Sequence, residues 1–443
     1  MNSYKFKIAV SVIISINFLA TNPVSCQVNE TQKSDSLTLT QVIKEVIQNY
    51  PTIKESEEAL NTADAKIGLA KSGYYPDIDF NANFSHIGPV PTLTFPTFGS
   101  FQLYPENNYS SSVNYRQNIY DFGKTAKNVS AENVGKELSI QSLSMVKQRL
   151  TISVISNFYT ILYLQKAISI KQQQLNTLNE HLDFVNKKKD TGSAIEYEII
   201  STQVKLSGVE SQKLDIEAAL KIQASILNSF LGKPNDTPCE VTDKLTVILP
   251  QIQKDSILTT AYNHRDEMIM AQTKVNLAEI RYDLIKTQNY PVLSLIVQGG
   301  FKNGYVPDLN KFQANYVAGI GLRVPIFEAT RTKYNRNIAK SSVLTSNLET
   351  DITKRNISNE VIESETNLEV AQKKVNQFEM QLKQAQKALS LANVSYSAGA
   401  ITNLDLLDAT TTVSECQLML LKSKIDYTLS IYKLNAAIGE RLY

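Results

Sequence analysis

The chain has 443 residues, with 45 Lys and Arg against 43 Asp and Glu and a formal net charge of +2, a balance that argues against a nucleic-acid partner. Its cysteines (Cys26, Cys239, Cys416) and histidines (His86, His181, His264) are scattered singly, without disulfide or metal-ligand spacing. No nucleophile with its base, phosphate-cradling glycine loop or zinc motif stands out, so neither an enzyme nor a cofactor or metal site is expected.

Residues 1–26 read as an export signal: Lys5 and Lys7 precede an apolar stretch, Ile8 to Ala20, too short to span a bilayer. Two processing routes stay open, cleavage before Gln27 or acylation of Cys26, although Pro23 stands where a lipoprotein signal prefers Leu. No apolar run of about 18 residues follows. Any meeting with a membrane is therefore through strands, a lipid or partners.

The rest of the chain is written twice. A shift of 207 positions lays Ile119 on Ile326, Gly192 on Gly399, Leu227 on Leu434 and Gly232 on Gly439, and a shift of 215 lays Tyr75-Pro76 on Tyr290-Pro291. Two repeats follow, 37–232 and 257–443, joined by a connector over 233–256. Each begins with a helix. Strands come next, at about 76–86 and 109–120 in the first copy and about 291–301 and 315–327 in the second. In these stretches the apolar period is two: Ile78, Phe80, Ala82 and Phe84 alternate with Asp79, Asn81 and Asn83. Such ten-residue segments suit a membrane β-barrel, with the apolar face toward lipid and the polar face toward a lumen. Two soluble hairpins packed on helices satisfy the same period.

Long helices close each repeat. No Pro lies between Pro105 and Pro234 or after Pro325, and apolar residues recur at mixed three and four spacings from Leu368 to Leu389. A helix of about 65 residues is roughly 100 Å long and must pack as a rod or tube. Four strands cannot close in lipid, where an open edge leaves backbone groups unsatisfied. The chain must pool strands with copies of itself, eight in a dimer or twelve in a trimer.

Three local motifs carry a family resemblance over about Leu37 to Gly439. These are Asn49-Tyr50-Pro51, Gly73-Tyr74-Tyr75-Pro76-Asp77-Ile78 and Ile119-Tyr120-Asp121-Phe122-Gly123. A fourth, more specific, runs Tyr396-Ser397-Ala398-Gly399 and on through Asp405-Leu406-Leu407-Asp408-Ala409. Together they resemble the TolC-type outer-membrane efflux family. The resemblance implies a mainly α chain with a membrane β portion, in a homotrimer with a twelve-stranded barrel and a periplasmic helical tunnel. It further implies the outer membrane of a Gram-negative bacterium, a periplasmic adaptor and an inner-membrane pump of the RND or ABC type.

The second-half turn is the candidate site. Gly399, like Gly192 in the first copy, suits the left-handed residue that ends a helix, and Asn403 or Asp405 can cap the next one. If the turns form the closed end of a tube, Asp405 and Asp408 make carboxylate rings at its aperture, and charged rings select permeants and hold cations. The resemblance adds a hydrogen bond from Tyr396 to Glu198, the first-half counterpart of Asp405. The family's type member carries an Arg where this chain has Ile401, which removes a salt-bridge partner. Lys187, Lys188 and Lys189 read as a solvated helix end, with the last carbonyls of their helix or an acidic partner surface as the alternatives. The alternatives to an exit duct for efflux or type I secretion are a periplasmic adaptor, which has one hairpin between β-rich domains, and a structural coiled-coil protein.

Overall fold

A computed structural model describes residues 36–97, 99–243 and 257–443. The expected signal over 1–26, its Cys26, and residues 244–256 of the expected connector lie outside the described residues.

The first copy opens with α1 (Leu39–Asn49) and α2 (Pro51–Ser72). Asn49-Tyr50-Pro51 marks a break between two helices, with Pro51 opening the second. Tyr50 is extended (φ −68°, ψ 130°), the conformation that a following proline imposes, and Pro51 then takes the first helical position. The second copy breaks likewise between α5 (Ile257–His264) and α6 (Asp266–Lys286), with Arg265 extended although no proline follows. There the buried Arg265 guanidinium is held by Glu267 and Glu360, at 2.9 and 2.5 Å. A side-chain network does at this break what proline chemistry does at the other.

The sheet has β1 (Asp77–His86), β4 (Asn107–Tyr120), β5 (Val292–Lys302) and β6 (Gln313–Arg323), ordered β1-β4-β5-β6 and antiparallel throughout. β4 and β5 join the two copies. The last strand was expected to reach 327 but stops at Arg323, just ahead of Val324-Pro325, since proline cannot donate to a ladder. The long loop after His86 carries a small hairpin of its own, β2 (Thr92–Phe95) with β3 (Gly99–Gln102), which alternation had not predicted.

Register separates two faces. Phe80 pairs Val113, Val113 pairs Gly299 and Gly299 pairs Tyr316, while Leu295 pairs Ile320 on the same face. On this face Phe80 is 68 % exposed, Ile320 69 % and Tyr316 85 %. The opposite face carries Asp79, Asn81, Asn114, Arg116, Gln298 and Asn315, and Asn114 donates to Asp79 at 2.8 Å. So much exposed apolar surface in contiguous rows marks a surface meant for another apolar medium.

From the sheet run α3 (Lys124–Asp190) and α7 (Arg331–Ser397), each 67 residues and so about 100 Å long. They return as α4 (Glu196–Leu231) and α8 (Asn403–Ala437). The 207-residue shift maps the start of α3 onto the start of α7, and it maps Phe122 onto Ala329, both at positive φ (54° and 51°). Asp121 starts α3: its carboxylate accepts from the Gly123 amide (3.1 Å) and the Thr125 amide (2.8 Å).

The main core sits midway along the helices, where Val42 and Val46 of α1 meet Val154, Phe158, Tyr159 and Leu162 of α3, with Leu227 of α4 and Ile425 of α8. The second copy repeats it with Ile257, Ala261, Ile357, Val361 and Leu434. The copies are not equally covered. α3 packs against α2, α4, α6 and α8 and buries residues along its length, whereas α7 leaves Leu344, Leu348, Ile352 and Met380 largely exposed.

Candidate functional site at the hairpin tips

Both long helices end in the same turn about 100 Å from the sheet. Gly192 (φ 75°) and Gly399 (φ 73°) are left-handed. Ser193 donates to the Lys188 carbonyl and Ala400 to the Ser395 carbonyl, both at 2.8 Å, the paired bonds that close a helix on a left-handed residue. The next helix of the second copy is capped by Thr402, not by Asn403 or Asp405 as expected. Asp405 instead completes a capping box, its Oδ2 accepting from the Thr402 amide at 2.9 Å and hydroxyl at 2.7 Å. These bonds, the hydroxyl's first, hold the Asp405 carboxyl below the usual carboxylate range.

Asp408 lies one turn further on, with Lys205 of α4 at 3.9 Å. Tyr396 is buried and its hydroxyl donates to Glu198 Oε2 at 2.5 Å, which joins α7 to α4. Burial, and then the Glu198 bond, push the phenol well above its ordinary range, so it stays a donor. Ile401 is half-buried. Of the expected site residues, Tyr396 and Glu198 are brought together, whereas Asp405 serves its own cap and Asp408 faces Lys205. Among the described residues no cluster of three His, Cys, Asp or Glu is placed to hold a metal ion.

Several residues at the tip make contacts that the sequence did not indicate. The lysine run is not simply a solvated end: Lys188 Nζ lies 4.5 Å from the centre of the Tyr396 ring and 5.2 Å from that of Phe184, and Lys189 pairs with Glu196. His181 Nε2 lies 2.6 Å from Asn403 Oδ1, and its ring packs on that of Tyr396. The spacing of His181, Phe184 and Lys188, three and then four apart, put them on one helix face. What that face meets is not written in a spacing. Behind them Leu175, Leu178, Leu206, Val209 and Leu407 form a small apolar layer that ties α8 to α3 and α4.

A sheet with one apolar and one polar face, carried on paired hairpins of this length, defines the class of outer-membrane channel proteins. The chain belongs to the outer membrane efflux protein family, which matches residues 42–233 and 257–440. It is similar to Nodulation protein T of Rhizobium leguminosarum bv. trifolii, 21% identical over 90% of this chain and 85% of the relative. It is also similar to the outer membrane efflux protein BepC of Brucella suis biovar 1, 19% identical over 92% of this chain and 86% of that one. The outer membrane protein VceC of Vibrio cholerae shares its fold, with a TM-score of 0.77 at 18% identity over 91% of this chain and 97% of that one. The chain is thus an outer-membrane efflux channel protein; two hairpins alternating with strands set it apart from an adaptor.

Proposed function

We propose that three copies of this chain assemble into the exit duct of a tripartite efflux or type I secretion system, passively conducting what an inner-membrane pump delivers. The observation that carries this reading is the sheet: four strands, an exposed apolar face, and two edges, β1 and β6, that no strand covers among the described residues. In lipid those edges must be paired by other copies, and three copies supply twelve strands. The exposed apolar row on α7 is a surface for a neighbouring subunit's helices, which would close the hairpins into a tube. A periplasmic adaptor and an RND or ABC pump complete the assembly, and no chemical step falls to this chain.

In this reading the hairpin tips form the periplasmic aperture. Tyr396 and Glu198 hold α7 and α4 together in the closed state, and Asp405 and Asp408 from three chains ring the opening. Ile401 leaves this lock without an Arg partner. Native mass determination in detergent tests the assembly: three copies are expected, and a stable monomer with an intact β-signal overturns it. Adaptor and pump are tested by crosslinking in cells followed by identification of the captured inner-membrane protein.

A further inference from the structure

Asn403 is the first residue of α8 and is only 5 % exposed, an unusual place for a carboxamide unless its hydrogen bonds are met. Its Nδ2 lies 3.2 Å from the Glu198 carbonyl oxygen, 3.1 Å from Ser201 Oγ and 3.2 Å from Thr202 Oγ1. Ser201 and Thr202 already donate their own hydroxyl protons to that carbonyl, at 3.0 and 2.7 Å. All three neighbours of Nδ2 therefore accept, which fixes the orientation of the amide. Oδ1 then faces His181 Nε2 at 2.6 Å, and the imidazole must carry its proton on Nε2.

One buried side chain thus joins α8 to α4 and, through His181, to α3. The His181 ring packs edge-on against Tyr396, at 5.4 Å between centres, and Phe184 and Lys188 of the same face enclose that phenol. Asn403 also bonds the backbone of Glu198, the residue whose carboxylate receives the Tyr396 hydroxyl.

We infer that His181 and Asn403 are positioning residues of the gate: a crosspiece that holds α8 against α3 and α4 and sets Glu198 and Tyr396 for their bond. The inference rests on the reading of the tips as the closed aperture. Separating the hairpins strands the buried amide without its partners, and each lost buried partner shifts the open-to-closed ratio by about tenfold.

The test is single-channel recording of the full-length assembly in planar bilayers, with its resistance to thermal dissociation followed in parallel. His181→Ala and Asn403→Asp should raise open-state occupancy about tenfold with little change in thermal resistance. His181→Gln, which keeps an N–H donor near the Nε2 position, should remain closed. The pair Asn403→Asp with Tyr396→Phe should open less than the product of the single effects, because both act through Glu198. If Tyr396→Phe opens the channel while His181→Ala and Asn403→Asp leave it closed, the crosspiece is overturned and the gate reading stands. Opening by His181→Gln equal to that of His181→Ala also overturns it, since the donated bond is then not what holds the tip. If none of the variants opens the channel, the gate reading fails and the crosspiece with it. Should Asn403 variants not assemble, the His181 pair decides alone.

Discussion

Tyr396 joins two helices through one hydroxyl, and its chemistry sets how the tip responds to pH. Its folded-state pKa is raised above the ordinary 10.0, by burial and then by the Glu198 bond, so the donor proton is retained. The stability this adds is complete below the ordinary value and lost only as pH rises through the higher folded one. Conductance should therefore stay flat as the periplasmic side is brought from about pH 7 to about pH 10. A rise within that window would mean that the phenol ionises normally and holds nothing. Tyr396→Phe should raise conductance, though by less than in relatives with an Arg at the position of Ile401. Asp405 has the opposite sign: its depressed pKa makes its cap hold above the ordinary 3.8 and fail as pH falls through the lower folded value. Replacing Asp405 and Asp408 together by Ala should leave folding nearly intact yet abolish block of the current by multivalent cations added from the periplasmic side. Full block by the double variant would reduce both residues to helix-end and surface roles.

The elements show why the repeat is copied so closely in some places and freely varied in others. Gly399 and Gly439 both sit at positive φ at helix ends, at 73° and 89°. A Cβ on Gly399 would meet open space, so Gly399→Ala costs only the left-handed backbone, about 1 kcal/mol. A Cβ on Gly439 would lie 2.7 Å from the His264 carbonyl carbon and 2.9 Å from the Arg265 nitrogen, both backbone atoms that cannot swing away. Gly439→Ala should therefore cost about 3 kcal/mol, and thermal unfolding in detergent should rank it clearly below Gly399→Ala. Equal midpoints would show that the α5–α6 break moves aside freely. The helices themselves were legible because Pro-free, Gly-poor tracts leave few other conformations. The β2–β3 hairpin was not, since four-residue strands in a Pro- and Thr-rich loop carry too little alternation to register.

For the whole molecule, the sheet register sorts residues by environment. With cysteine placed singly at Phe80, Leu295, Asn81 and Arg116, a membrane-impermeant thiol reagent should label positions 81 and 116 and spare 80 and 295. Fast labelling at 80 and 295 with protection at 81 and 116 would falsify the assigned faces. The same register leaves β1 and β6 bare among the described residues, which is why oligomeric state and membrane insertion should be lost together when the edges are mismatched.

Sequence alone determined the two-copy plan, the long helices, the period-two strands and the glycine turns. Each of these is a local matter of backbone freedom or of apolar spacing, so a few adjacent residues decide it. The pairing of Tyr396 with Glu198 came from family resemblance, not from spacing. Tertiary structure alone decided that Asn403 turns inward while Thr402 caps, that His181 and Lys188 gather around Tyr396, and that Arg265 is held by Glu267 and Glu360 at the second helix break, where no proline follows. These depend on what lies across the bundle, up to 222 residues away along the chain for His181 and Asn403. A buried polar group finds its partners only once the helices have been brought side by side.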